Sequence, residues 1–396
     1  MQSGNENNKR LALQFIILLG LVSLFGDITY EGARSVTGPF LSTLGAGAAV
    51  VGLVAGLGEL LGYALRLISG YMVDRTGRYW VFVFIGYGLL LSIPLLALSG
   101  YWEVAAVLII LERLGKAIRT PARDTILSYS TKEVGRGWGF GIHEALDQVG
   151  AFIGPLIFST VFFLQGGYRT GFTILWLPAL LTLVILAMAR RKLPSPEAVE
   201  RPYKTSPPAA GGKLAKPFWL FTLFAFLSVA GFANFQIISY HFKVRSVVSG
   251  AQIPLFYAMA MGVDALVALA IGKTYDRIGL LSLIALPLLS VPIPFFGFSG
   301  SYGLAVAGVV LWGAVMGIQE TIMRAAIADL TPMQRRGIGY GVFNTAYGVS
   351  WFLGSLFMGI LYEISIGYLI LFAVGMQALA VPALFLLGRS LSAGRG

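Results

Sequence analysis

Long, almost uninterrupted apolar runs separated by short polar turns set the pattern of this chain. Runs of about 20 residues suit helices that cross a bilayer. They predict twelve spans, near 11–42, 47–72, 79–99, 102–126, 137–165, 168–190, 217–242, 248–272, 280–299, 302–328, 337–362 and 366–388. Closed β-barrels are excluded, because barrel strands alternate apolar and polar positions over about ten residues. The fold class is therefore an all-α membrane protein. One long polar stretch, RKLPSPEAVERPYKTSPPAAGGKLAK at 191–216, is rich in Pro, Gly and basic residues and divides six spans from six. It predicts helical bundles at 1–190 and 217–396 with a cytoplasmic linker between them. No cleavable leader is expected, since MQSGNENNKR runs directly into a span too long for a signal peptide.

Composition agrees with that class. Of the 396 residues, 57% are hydrophobic and 12% charged, against about 25% charged in soluble domains. There are no cysteines, which removes disulfides, thiolate chemistry and Cys-type metal sites. With the N-terminus placed in the cytoplasm, 23 of the 29 Lys and Arg residues fall inside, three outside (Arg169, Lys243, Arg245) and three within spans (Arg34, Arg66, Arg113). This bias puts both termini in the cytoplasm. It also accounts for most of the net charge of +11, so no nucleic-acid partner is expected.

The two halves repeat each other. RGWGFGIHEALDQVGAFIGP at 136–155 aligns without gaps to RGIGYGVFNTAYGVSWFLGS at 336–355, and GYMVDRTG at 70–77 aligns to GKTYDRIG at 272–279. Offsets of 200 and 202 residues indicate a parallel duplication.

GYMVDRTGR between the second and third spans, echoed by GKTYDRIG between the eighth and ninth, resembles the loop signature of the major facilitator superfamily. The resemblance covers the whole chain. On their own terms, Gly70 and Gly77 permit a tight turn and close helix approach, while Asp74, Arg75 and Arg78 are fixed charges at helix ends. The resemblance implies a conformational latch in which Asp74 faces the N-terminus of the eleventh span and Arg78 pairs with Asp124. Asp276 and Arg277 are the second copy. A topological role for the arginines alone stays open. From Gly141, GIHEALDQVGAFIGP resembles the fifth-helix motif of proton-coupled drug and multidrug antiporters in that superfamily. Gly150, Gly154 and Pro155 would form a packed, bendable pivot. The family's two closing glycines are Phe158 and Ser159 here.

Charges inside spans carry the candidate chemistry. Asp27, Glu31 and Arg34 lie four and three residues apart, so they share one stripe of the first helix. Resemblance turns that stripe toward the transport path, with Asp27 or Glu31 as the proton site and Arg34 as its tuning partner; a static ion-paired triad is the alternative. The fifth span adds His143, Glu144, Asp147 and Gln148, as a proton relay, a cation site or a structural polar patch. No stable metal site is expected from one helix. Arg113 occupies the fourth span, where the family often has an arginine tied to proton transfer. Interior acids number seven (Asp27, Glu31, Glu59, Glu112, Glu144, Asp147, Asp264) against the three arginines, so a net acidic cavity is expected. Tyr30, His143, Gln148, Asn234, Phe235, Gln236 and Asp264 are the candidate substrate residues, with packing the alternative for the aromatics. Glu320 and Arg324 form a candidate inner-gate pair.

These residues point to alternating access driven by an ion gradient, with no nucleotide-binding loop, no cofactor and no enzyme activity. The leading expectation is proton-coupled export of a small organic or amphipathic compound, cations included, by a monomer in the cell membrane. Proton symport or facilitated movement of a metabolite or iron chelate is the alternative, and lipid scrambling the alternative from another class.

Overall fold

The computed structural model describes residues 2–134, 136–192, 214–331 and 336–393. Most of the expected linker at 191–216 lies outside the described residues. The first half of the chain forms α1 (Gln2–Thr43), α2 (Ala48–Thr76), α3 (Tyr79–Gly88), α4 (Ser92–Leu95), α5 (Trp102–Val134), α6 (Arg136–Phe163), α7 (Tyr168–Ile174) and α8 (Trp176–Lys192). The second forms α9 (Lys216–Ala230), α10 (Phe235–Val244), α11 (Gln252–Ile278), α12 (Ala285–Ser290), α13 (Pro292–Gly297), α14 (Tyr302–Leu330), α15 (Arg336–Ile364) and α16 (Ile366–Ala393). In lipid a helix satisfies its own backbone, which is why apolar runs fold this way.

Among the described residues, ten helical stretches are long and apolar enough to cross a membrane. Two features separate this from the expected twelve. Gln252–Gly297 is one apolar stretch of 46 residues that holds both the eighth and ninth expected spans. The fourth expected span belongs to α5, whose Glu103, Glu112, Arg113, Lys116, Arg119, Arg123 and Asp124 keep it from counting as apolar.

The chain forms two compact units, Met1–Arg34 with Leu65–Ser206, and Ser35–Ala64 with Pro207–Gly396. The units depart from the expected division at the linker, because residues 35–64 group with the later helices. Small residues explain the grouping. A Cβ at Gly56 would lie 2.9 Å from Phe352 Cα, and one at Gly359 would lie 3.0 Å from Ala49 Cα. Ala49 N–H also donates to Glu363 Oε1 at 2.9 Å, placing a carboxylate at the start of α2.

In the first unit, α1 and α6 meet backbone to backbone. A Cβ at Gly154 would lie 2.5 Å from Ile28 O and 2.7 Å from Gly32 N, so only glycine fits. In the second unit, a Cβ at Gly354 would lie 2.8 Å from Ala230 Cα. Gly354 is Gly154 displaced by 200 residues and Ala230 is Ile28 displaced by 202. The sequence repeat is thus also a repeat of backbone contacts.

The loop signature repeats in the same way. Gly77 and Gly279 both have left-handed backbones, with φ of 63° and 58°, and both follow the last turn of a helix. Gly77 N–H donates to Val73 O at 2.9 Å, and Gly279 N–H closes on Tyr275 O. A side chain is strained at such φ, so glycine ends each helix.

The seventh expected span is broken between Ala230 and Phe235. Buried side chains take up the carbonyls around the break: Gln377 Nε2 donates to Ser228 O at 2.7 Å, Trp312 Nε1 donates to Ala233 O at 2.9 Å, and Ser350 Oγ donates to Phe226 O. Non-helical backbone survives at membrane depth only when satisfied in this way.

Candidate functional site

A polar cluster lies inside the first unit. Asp27 and Glu31 are buried on α1, and Arg34 Nη1 lies 3.6 Å from Glu31 Oε1. Asp27 has Asp147, Lys116, Glu31 and Arg119 within electrostatic reach. Ser23, one turn before Asp27, donates its hydroxyl to Asp147 Oδ1 and accepts from Arg123 Nη1 at 3.1 Å. The glycine contact between α1 and α6 continues to this level: a Cβ at Gly150 would run into the Leu24 carbonyl. Close helix approach therefore sets the distance between the Asp27 and Asp147 elements.

Around this pair the remaining fifth-helix residues divide. His143 is buried, with Nε2 lacking a hydrogen-bond partner among the described residues, and Arg123, Asp147 and Asp124 act on it electrostatically. Gln148 is half-buried and its Oε1 is likewise unpartnered among the described residues. Glu144 is exposed. Pro155 is buried in α6, which continues without a break to Phe163. Where the motif has Phe158 in place of glycine, the small residue sits on the neighbouring helix: a Cβ at Gly171 would lie 3.0 Å from Phe158 Cζ.

The fourth expected span, α5, supplies what the sequence reading missed. Lys116, Arg119 and Arg123 were expected on the cytoplasmic side, but α5 carries them into the cluster. Arg119 is 3% exposed and pairs with Glu112, 1% exposed, at 3.3 Å. Arg113 is buried, with Cζ 4.6 Å from the Tyr30 ring centroid, and Lys116 Nζ lies 4.2 Å from that centroid. α5 thus adds three bases, Lys116, Arg119 and Arg123, and one acid, Asp124, to the interior charges counted from the sequence, which makes seven acids against six bases in the first six spans and corrects the expectation of a strongly acidic interior there. Arginine and lysine spaced three or four residues apart from 113 to 123 was the available signal, since that spacing keeps them on one helix face.

The latch residues have definite places. Asp124 pairs with Arg123, at 2.9 Å from Nη2, and not with Arg78 as the resemblance implied. The reason is local: Arg123 is its sequence neighbour, whereas Arg78 is exposed and its backbone N–H donates to Thr76 Oγ1 at 3.5 Å. Asp74, Arg75, Asp276 and Arg277 are exposed at the ends of α2 and α11. Gly70 faces Pro121, where a Cβ would lie 3.7 Å from Pro121 Cβ. Residues 332–335, leading into the eleventh span, lie outside the described residues, as does the side chain of Arg324, so the Glu320–Arg324 pair is not described.

In the second unit the substrate candidates are buried. Asn234 caps α10, accepting from Ile237 N–H at 2.9 Å through Oδ1. Phe235, a cavity candidate with packing as its alternative, is fully buried, 4.7 Å from Tyr257 and 5.4 Å from Trp312 by ring centroids. The apolar aromatic core wins because these rings fill the broken seventh span. Gln236 is buried, its carbonyl against Gly38. Asp264 is buried beside Gly317, where a Cβ would lie 2.5 Å from Asp264 O. A polar group missed in the sequence joins Gln319 to Tyr347, whose hydroxyl donates to Gln319 Oε1 at 3.0 Å. Tyr63 packs on Tyr347 at 4.8 Å between ring centroids. Among the described residues, no group of three or more His, Asp or Glu side chains is placed to hold a metal ion.

The profile of the Major Facilitator Superfamily matches residues 19–355. An uncharacterized protein of Mycobacterium tuberculosis (strain H37Rv) is 42% identical, over 94% of this chain and 93% of its own length. An uncharacterized MFS-type transporter of Methanocaldococcus jannaschii is 29% identical over 92% of both chains. Among solved structures, that of the nucleoside transporter NupG is similar with a TM-score of 0.73 at 15% identity, covering 95% of this chain and 98% of that one. At that identity the likeness is one of fold.

Proposed function

The chain belongs to the major facilitator superfamily, and on that premise we propose that it is a proton-coupled transporter exporting a small organic compound by alternating access. It is a multi-pass protein of the cell membrane, of a transporter family and not an enzyme family. The observation that carries the proposal is the enclosure of Asp27 on α1 within reach of Asp147 on α6 and Lys116 on α5. Gain or loss of a proton at Asp27 changes the charge felt by groups on two further helices, which couples protonation to helix packing. Glu31 and Arg34 extend the stripe, and Arg113 adds to it from α5. The outward direction is supported by the Gly150, Gly154 and Pro155 pattern and its resemblance to the antiporter motif.

The second reading is proton symport. The test for both is proton flux triggered by substrate in vesicles containing the purified protein. Coupled export predicts protons moving against the compound, and symport predicts protons moving with it. Either requires Asp27 or Glu31; flux unchanged in both Asp27→Asn and Glu31→Gln overturns the proposal.

A further inference from the structure

We propose that Lys116, held over the face of Tyr30 with Arg113 beside it, binds an anionic group of the substrate, a carboxylate or a phosphate. The inference rests on the transport reading and names the charge of what is carried.

Three cations converge on one buried ring. Lys116 Nζ lies 4.2 Å, Arg113 Cζ 4.6 Å and Arg34 Cζ 5.9 Å from the Tyr30 centroid. The two helices meet at one depth: Tyr30 lies roughly 20 Å from the Thr43 end of α1, and Lys116 roughly 21 Å from the Trp102 end of α5, at about 1.5 Å per residue. Both are therefore deep in the apolar layer.

Lys116 differs from the other bases of the cluster. Arg34 has Glu31, Arg119 has Glu112 and Arg123 has Asp124. No carboxylate lies within ion-pair distance of Lys116 among the described residues, and its described side-chain contact is the Tyr30 ring. Asp27 and Asp147 act on it only at longer range, and Asp147 is already held by Ser23. A charged lysine in a membrane interior marks a ligand or ion path when no direct partner neutralises it. A cation–π contact orients the ammonium through the ring quadrupole without cancelling its charge, which leaves three N–H donors for a ligand. Arg113 adds a second positive charge over the same ring. A cationic group placed here meets two like charges.

The experiment uses the full-length protein in vesicles and in detergent. Binding of benzoate, succinate, glycerol 3-phosphate, uridine and tetraphenylphosphonium is measured for the wild type, Lys116→Gln, Lys116→Arg and Lys273→Gln, an exposed control on α11. The expected result is binding of at least one anion, weakened roughly ten- to a hundredfold in Lys116→Gln, retained in Lys116→Arg and unchanged in Lys273→Gln. Preference among the three anions separates carboxylate from phosphate recognition. Binding of no anion, or of an anion equally well in Lys116→Gln, overturns the inference. Should Lys116→Gln fail to fold, the charge selectivity of the wild type decides. Proton flux driven by uridine or tetraphenylphosphonium without anion binding keeps the transport reading and removes this one; Lys116-dependent anion binding without proton flux does the reverse.

Discussion

Gly154 and Gly32 leave no room for a side chain between α6 and α1: a Cβ on Gly154 would lie 2.7 Å from Gly32 N. Backbone, and not a flexible side chain, would have to move. Gly154→Ala is therefore expected to destabilise the protein by about 1–3 kcal/mol through overpacking, and Gly154→Leu to prevent folding. Thermal unfolding in detergent checks the first and yield of monodisperse protein the second. Gly354→Ala, the repeat-related change, should cost a similar amount.

The buried pair Glu112 and Arg119 predicts an asymmetry. Arg119→Gln leaves Glu112 buried without its ion-pair partner and should destabilise by about 3–5 kcal/mol, while the apolar double variant Glu112→Leu with Arg119→Met should recover much of that. Unfolding midpoints of the single and double variants decide it; equal loss in both would mean that the pair matters through shape alone.

Loss of the donor at the broken seventh span has a defined effect. Trp312→Phe keeps the stacking on Phe232, at 5.6 Å between ring centroids, but leaves Ala233 O without its described partner. A cost of about 1–3 kcal/mol is expected. Hydrogen exchange of residues 230–237 should rise in this variant and stay unchanged in Trp351→Phe.

Gly77→Ala and Gly279→Ala place a side chain at φ of 63° and 58°. Each should cost about 1–2 kcal/mol. Nothing lies within 4 Å of a Cβ at Gly279, so that variant isolates backbone strain from crowding, and its unfolding midpoint measures it.

The fold was legible because apolar run length and the offsets of 200 and 202 residues are direct consequences of membrane burial and duplication. The stripe of Asp27, Glu31 and Arg34 was legible for the same kind of reason, since helical spacing alone aligns those residues. What failed was depth. Lys116, Arg119 and Arg123 lie within the fourth span as drawn at 102–126, yet the inside–outside count of basic residues assigned this charged end of the span to the cytoplasm. Their partners, Tyr30, Glu112, Ser23 and Asp124, come mostly from other turns or other helices, which no single run reveals. Phe235 stayed open between two readings for a different reason: aromatic and amide residues mixed along GFANFQIISY read alike whether they line a cavity or pack around a helix break.

The central claim is that Asp27 carries the coupling proton. The most direct measurement compares net, proton-driven transport with substrate exchange at equal pH on both sides, using Asp27→Asn in vesicles. Retained exchange with proton-driven transport lost by tenfold or more is the predicted result, because alternating access survives while the proton site does not. Proton-driven transport at the wild-type level in Asp27→Asn would contradict the account.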